Sequence, residues 1–213
     1  MTAADNPKLL FNAATNGFVE LVRQIQPSQW GWSALGVWDI RALVGHATRA
    51  LSTAETYLST SSKNPTIFGP AEYFVTMLND RGDPDERHHR DEAIAERGRI
   101  AGNDLGTSPI EEVSSLAARV LATIESIDIH AIFLLPVGTM TLADYLPTRT
   151  FELTVHSLDL AHALDIEYPA LLEPAIVASC ELAGQIAARR RNAAQLLRFF
   201  TGRVASLESL SIL

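Results

Sequence analysis

The chain has 213 residues, 47% of them hydrophobic, enough to bury a sizeable core in one domain over 1–213 with a small C-terminal extension. Its formal net charge of −8 argues against a phosphate-tracking nucleic-acid binder, which needs a basic face. The single cysteine, Cys180, excludes an internal disulfide and fits a reducing compartment.

The N-terminus has no basic segment followed by an apolar one, and no apolar run reaches the ~20 residues of a membrane span, so a cytoplasmic protein with no membrane partner is expected. Residues 5–26 place Leu9, Leu10, Ala13, Ala14, Gly17, Phe18, Leu21, Val22 and Ile25 on one helical stripe, ended by Pro27-Ser28. Trp30, Trp32 and Trp38 then crowd a connector, which reads as a packed loop. A second helix is expected from about Val37 to Thr60, with Ile40, Leu43, Val44, Ala47, Leu51, Ala54 and Leu58 inward. Gly69-Pro70 opens a shorter one through about Asn79.

Residues 80–104 are charge-rich and read as a polar surface helix after a turn at Asp83-Pro84. His88 and His89 point about 100° apart on such a helix, poorly placed to share a metal. Ser108-Pro109-Ile110-Glu111 has the pattern of a capping box, and its helix runs to near Ile127. Residues 129–135 suit a short buried strand closed by Pro136 and Gly138, with the apolar tail 209–213 as its expected partner in a very small sheet. Thr141 with Asp144 three residues on starts a further helix, in which Pro147 should cause a kink or a restart at Thr148. Glu173-Pro174 opens a final long helix to Gly202. Cys180, among Ile176, Val177, Leu182 and Ala183, reads as a small core residue, and Arg189-Arg190-Arg191 as a solvated helix edge.

Arg149, Glu152, His156 and Asp159 follow spacings of three, four and three, so they form one polar stripe on the 148–164 helix. Such a stripe is either a surface ladder of ion pairs, Arg149–Glu152 and His156–Asp159, or a set gathered around a ligand. A carboxylate and an imidazole at i and i+4 can bind one cation but need a third ligand from elsewhere. His46 is a candidate of suitable chemistry, although a histidine between Leu43 and Ala50 also suits an ordinary core edge.

The run Trp38-Asp39-Ile40-Arg41-Ala42-Leu43-Val44-Gly45-His46, the run from Thr141 through Phe151-Glu152-Leu153-Thr154-Val155-His156-Ser157-Leu158-Asp159-Leu160, and the ending Leu196 to Arg203 resemble the mycothiol-dependent maleylpyruvate isomerase family of the DinB-like superfamily. Residues 60–110 match only loosely. The resemblance implies a mainly α, DinB-like four-helix bundle with a few additional helices. It also implies one divalent metal, usually zinc, held by His46, Glu152 and His156. Asp159 is then a group that orients an imidazole, and Arg149 either pairs with Glu152 or anchors a substrate carboxylate. Three protein ligands leave an open position, as catalytic zinc sites do. The implied partners are a low-molecular-weight thiol, mycothiol in that family, and a small electrophile, for isomerisation or thiol transfer. Hydrolysis by metal-bound hydroxide and a non-catalytic ligand- or partner-binding bundle are the alternatives. A broad apolar surface would also admit a homodimer.

Overall fold

The computed structural model describes residues 6–78 and 84–204. Among the described residues, eight α-helices run in chain order: α1 (Pro7–Gln24), α2 (Ile40–Tyr57), α3 (Pro70–Leu78), α4 (Pro84–Asp104), α5 (Pro109–Ser126), α6 (Leu142–Leu164), α7 (Glu173–Arg189) and α8 (Ala193–Phe200). Between α5 and α6 lies a hairpin of β1 (Ile132–Leu135) and β2 (Gly138–Thr141), paired antiparallel with Ile132 opposite Thr141 and Leu135 opposite Gly138.

Helices α1, α6, α2 and α5 pack in a ring, each against the next, and form a four-helix bundle. Its core takes Phe11, Phe18, Leu21 and Val22 from α1, Leu43, Val44, Ala47 and Leu51 from α2, Val113, Val120 and Ile124 from α5, and Leu146, Leu153 and Leu160 from α6; on α1 the expected stripe is corrected, because Leu9 is exposed and Phe11, outside that stripe, is buried. Around that frame, α4 lies against α2, and α7 lies against α6, α3 and α1.

Local caps explain most of the starts. The Asn6 side chain accepts from the Lys8 and Leu9 N–H groups at the head of α1. The Asp39 carboxylate accepts from Ala42 N at 2.8 Å and starts α2. Thr141 Oγ1 accepts from Asp144 N at 3.1 Å and donates to Asp144 Oδ2 at 2.8 Å, fixing the first turn of α6. Ser108 is the N-cap residue of α5 but makes no capping hydrogen bond with its side chain; its ψ of 60° departs from the extended backbone that aims a capping hydroxyl at the helix.

Several expectations are corrected. The strand within 129–135 pairs with Gly138–Thr141, a partner not expected from the sequence, because two residues suffice to turn the chain back; the expected partner, 209–213, lies outside the described residues. The final helix is two: Arg191 takes a left-handed φ of 63° and breaks α7 from α8. The basic run therefore sits at this break, with Arg189 as the last residue of α7. The restart at Thr148 does not occur, since α6 continues through Pro147. Cys180 is exposed: Ala175, Ser179, Leu182 and Ile186 form the inner face of α7, and position 180 falls outside it. The stretch Ala170–Arg189 is long and apolar enough, by length and composition alone, to cross a membrane, which the sequence reading did not allow for; a third of its apolar window is buried within the fold.

The α2–α4 contact depends on two glycines. A Cβ on Gly45 would overlap the backbone of Gly102, and one on Gly102 would lie 2.6 Å from the Arg41 carbonyl oxygen. Gly45→Ala is expected to lower stability by about 1–3 kcal/mol or more, as overpacking does, read as a lower denaturation midpoint with unchanged m. A midpoint within error of the wild type would show that the two helices separate freely.

Candidate metal centre

Two helices bring the site together. On α2, buried Leu43, Val44 and Ala47 fix the rotation that turns His46 toward α6. On α6, buried Phe151, Leu153 and Leu160 turn Glu152 and His156 back toward α2. One ligand-type atom from each of His46, Glu152 and His156 lies within 4.8 Å of the others. The two imidazoles meet edge to face, with ring centroids 4.7 Å apart. His156 Nε2 is 3.7 Å from Glu152 Oε2. The side chains of Glu152 and His156 are 24% and 14% exposed, so the cluster is reachable from solvent while largely shielded.

Asp159 takes the position expected of an orienting group: its Oδ2 is 3.0 Å from His156 Nδ1. That contact directs Nε2 of the same ring at Glu152. Arg149 does not pair with Glu152. It is buried, donates from Nε to Thr148 Oγ1 (3.0 Å) and from Nη2 to the Tyr73 hydroxyl (3.2 Å), and lies between the faces of Tyr73 and Tyr145, 5.4 and 5.3 Å from their centroids. His88 and His89 stand apart on α4, exposed and facing Glu92. Of the two pairs in the surface-ladder reading of the α6 stripe, Arg149–Glu152 is absent because Arg149 is inside, while His156–Asp159 is formed; Glu152 and His156 also face a histidine from another helix.

The charges are unevenly shared. Burial, with the neighbouring His156, pulls the His46 pKa down to about 4. Burial acts the same way on His156, but the Asp159 and Glu152 carboxylates, which accept from and attract the charged ring, outweigh it and lift its pKa to about 9. Glu152 is held below its ordinary value: burial opposes this, and His156 and Arg149 prevail. Without a metal, then, a protonated His156 sits between two carboxylates and faces a neutral His46.

The residues fit a metal by donor chemistry. A carboxylate and two imidazoles are ordinary zinc ligands and leave a fourth position open. His46 Nδ1 is sealed from solvent with no hydrogen-bond partner among the described residues, a costly state for a polar atom in the absence of a ligand.

A family model, the mycothiol maleylpyruvate isomerase N-terminal domain, matches residues 11–161, more than two-thirds of the chain. The chain belongs to that family. The family model spans α1 through nearly all of α6 and so includes all three candidate ligands; α7 and α8 lie beyond it. No curated protein and no solved structure gives a match. For a member of this mycothiol-related family, a helical bundle with a metal-competent triad is a coherent arrangement.

Three contributors to the site escape sequence reasoning. Trp38 stacks on His46, and Tyr73 and Tyr145 hold Arg149. Trp38 is visible in the sequence as one of three clustered tryptophans and as the first residue of the run that resembles the family, and neither places its ring on His46. Tyr73 reaches α6 from a separate helix, with no local signal. Asp159→Asn is expected to weaken metal binding by about 10–100-fold, since an amide orients His156 less firmly and adds no basicity. Competition with a chromophoric chelator reads this directly, and an unchanged affinity would remove Asp159 from the centre.

Proposed function

We propose that this chain binds a divalent metal, zinc, through His46, Glu152 and His156, and uses it to activate a low-molecular-weight thiol for isomerisation or thiol transfer on a small electrophile. The observation that carries the reading is the convergence of two imidazoles and one carboxylate from two helices, with no fourth His, Cys, Asp or Glu in the cluster among the described residues. Membership of a mycothiol-related family supports a thiol as the partner. His46, Glu152 and His156 would hold the zinc, and its remaining positive charge would lower the pKa of a thiol brought to the open position.

The protein's own groups have separate tasks. His46 is ready to donate a lone pair, because burial keeps it neutral at physiological pH. His156 must first release its proton, and Asp159 then holds the ring by accepting from Nδ1. Shielding of Glu152 and His156 limits the water that would compete for the site. Hydrolysis is less well supported, because Asp159, the nearby candidate for a general base, is already engaged with His156.

Metal analysis of purified protein, followed by thermal-shift titration with mycothiol, tests the reading. About one zinc per chain and a mycothiol-dependent rise in melting temperature in the zinc-loaded protein alone are expected. Zinc binding without a thiol-dependent shift would remove the thiol and leave a metal-binding bundle.

A further inference from the structure

The two candidate ligand histidines are supported in different ways. His156 has a carboxylate on its second ring nitrogen, the usual means of fixing a ligand imidazole. His46 has no hydrogen bond to either ring nitrogen among the described residues, and its Nδ1 is buried. An imidazole without such a bond can turn about its Cβ–Cγ axis unless packing stops it. What packs on it is Trp38, whose ring centroid is 4.5 Å from that of His46 at an interplanar angle of 32°. The same indole meets His156 nearly edge-on at 6.4 Å. One aromatic side chain thus borders both histidines.

The indole is itself held by α4. Its Nε1–H donates to the Ala95 carbonyl at 2.9 Å. A turn further along α4 is Gly98, where a Cβ would lie 2.8 Å from the indole Cε2 and Nε1. A glycine inside an otherwise polar helix costs about 1 kcal/mol relative to alanine; here it forms the notch that admits the ring. The Trp38 backbone is fixed as well, donating to the Leu35 carbonyl at 2.9 Å and accepting from Ala34 N at 3.0 Å. The indole is 8% exposed and so acts as packing rather than as a surface for ligands.

We propose that Trp38 is a positioning residue of the metal centre: it fixes the plane of the His46 imidazole, and the Ala95–Gly98 segment of α4 fixes Trp38. The inference rests on the metal-binding reading above. Stacking takes the part for His46 that Asp159 takes for His156.

Cobalt(II) titration of the metal-stripped full chain tests this, with affinity and the visible d–d bands as readouts and far-UV circular dichroism as the check on folding. Trp38→Leu is expected to bind cobalt about 10–100-fold more weakly, as loss of an orienting partner does, and with altered bands. Trp38→Phe, which keeps a ring against His46, should stay within about threefold of wild type with the wild-type bands. Gly98→Ala should weaken binding by about tenfold when Trp38 is present and by less than about twofold in the Trp38→Leu background, because its effect passes through the indole. Wild-type affinity and bands in folded Trp38→Leu would overturn the proposal, as would an equal cost of Gly98→Ala in both backgrounds. Should Trp38→Leu fail to fold, wild-type behaviour of Gly98→Ala alone overturns it. Wild-type protein that takes up no cobalt would instead overturn the metal reading itself, and the proposal with it.

Discussion

Zinc content is expected to fall from about one ion per chain to under about a tenth when either His46 or His156 is replaced by alanine. Each removes one of three protein ligands, and two remaining donors, one of them a carboxylate shared with Arg149's field, hold zinc poorly. Glu152→Gln should behave similarly, since an amide oxygen lacks the charge that offsets the cation. His46→Ala is the most informative of the three, because His46 comes from α2 while the other two share α6. If His46→Ala keeps zinc at the wild-type level, the centre is a two-residue helical site and the packing of α2 on α6 is unrelated to it. Elemental analysis after gel filtration reads the result, and circular dichroism shows that the bundle persists.

The second large effect is on pH. In the metal-free protein His156 has a pKa of about 9 against an ordinary 6.5, so the folded chain holds a proton that the unfolded chain releases between these values. That contribution to stability is complete below pH 6.5 and is lost as pH rises through 9. His46, at about 4, has the opposite sense: the unfolded chain takes up a proton between 6.5 and 4 while the folded one resists, so stability falls as pH drops through that window. The two together place the stability maximum contributed by these histidines near pH 6.5, with a melting temperature several degrees lower at pH 4.5 and at pH 9. Metal must displace the His156 proton. Apparent zinc affinity should therefore rise about tenfold per pH unit up to 9, or about thirtyfold from pH 7 to 8.5, with about one proton released per metal near pH 7.5. Calorimetric titration in buffers of differing ionisation enthalpy counts that proton. A flat affinity over this range would mean that His156 is already neutral and that Asp159 does not hold it charged.

What could be read from the sequence follows the range of the interaction. The starts of α2 and α6 are legible because Asp39 and Thr141 each cap a group three residues away. The Glu152–His156 pair is legible because helical spacing alone puts both on one face. His46 came from family resemblance, since a contact between residues more than a hundred positions apart leaves no local trace. Cys180 was misplaced because Ile176, Val177 and Ala183, three or four residues away, share its helix face, and that face is apolar yet turned outward, with Val177 exposed. The break at Arg191 was invisible because an arginine in the left-handed region is imposed by context; a glycine there would have signalled it. The fate of Arg149 was open because a stripe position does not say whether two tyrosines await it.

One consequence follows from the ligands' places on the chain. Roughly a hundred residues separate His46 from Glu152, and they carry α3, α4, α5 and the hairpin. A cation seated between α2 and α6 would close all of that chain into one loop, as a disulfide would. For a loop of that length the loss of freedom in the unfolded chain is worth up to about 4–5 kcal/mol. In a protein whose one cysteine can form no internal cross-link, the metal would then be its covalent-like staple, guarding the bundle against unfolding whatever chemistry it also performs.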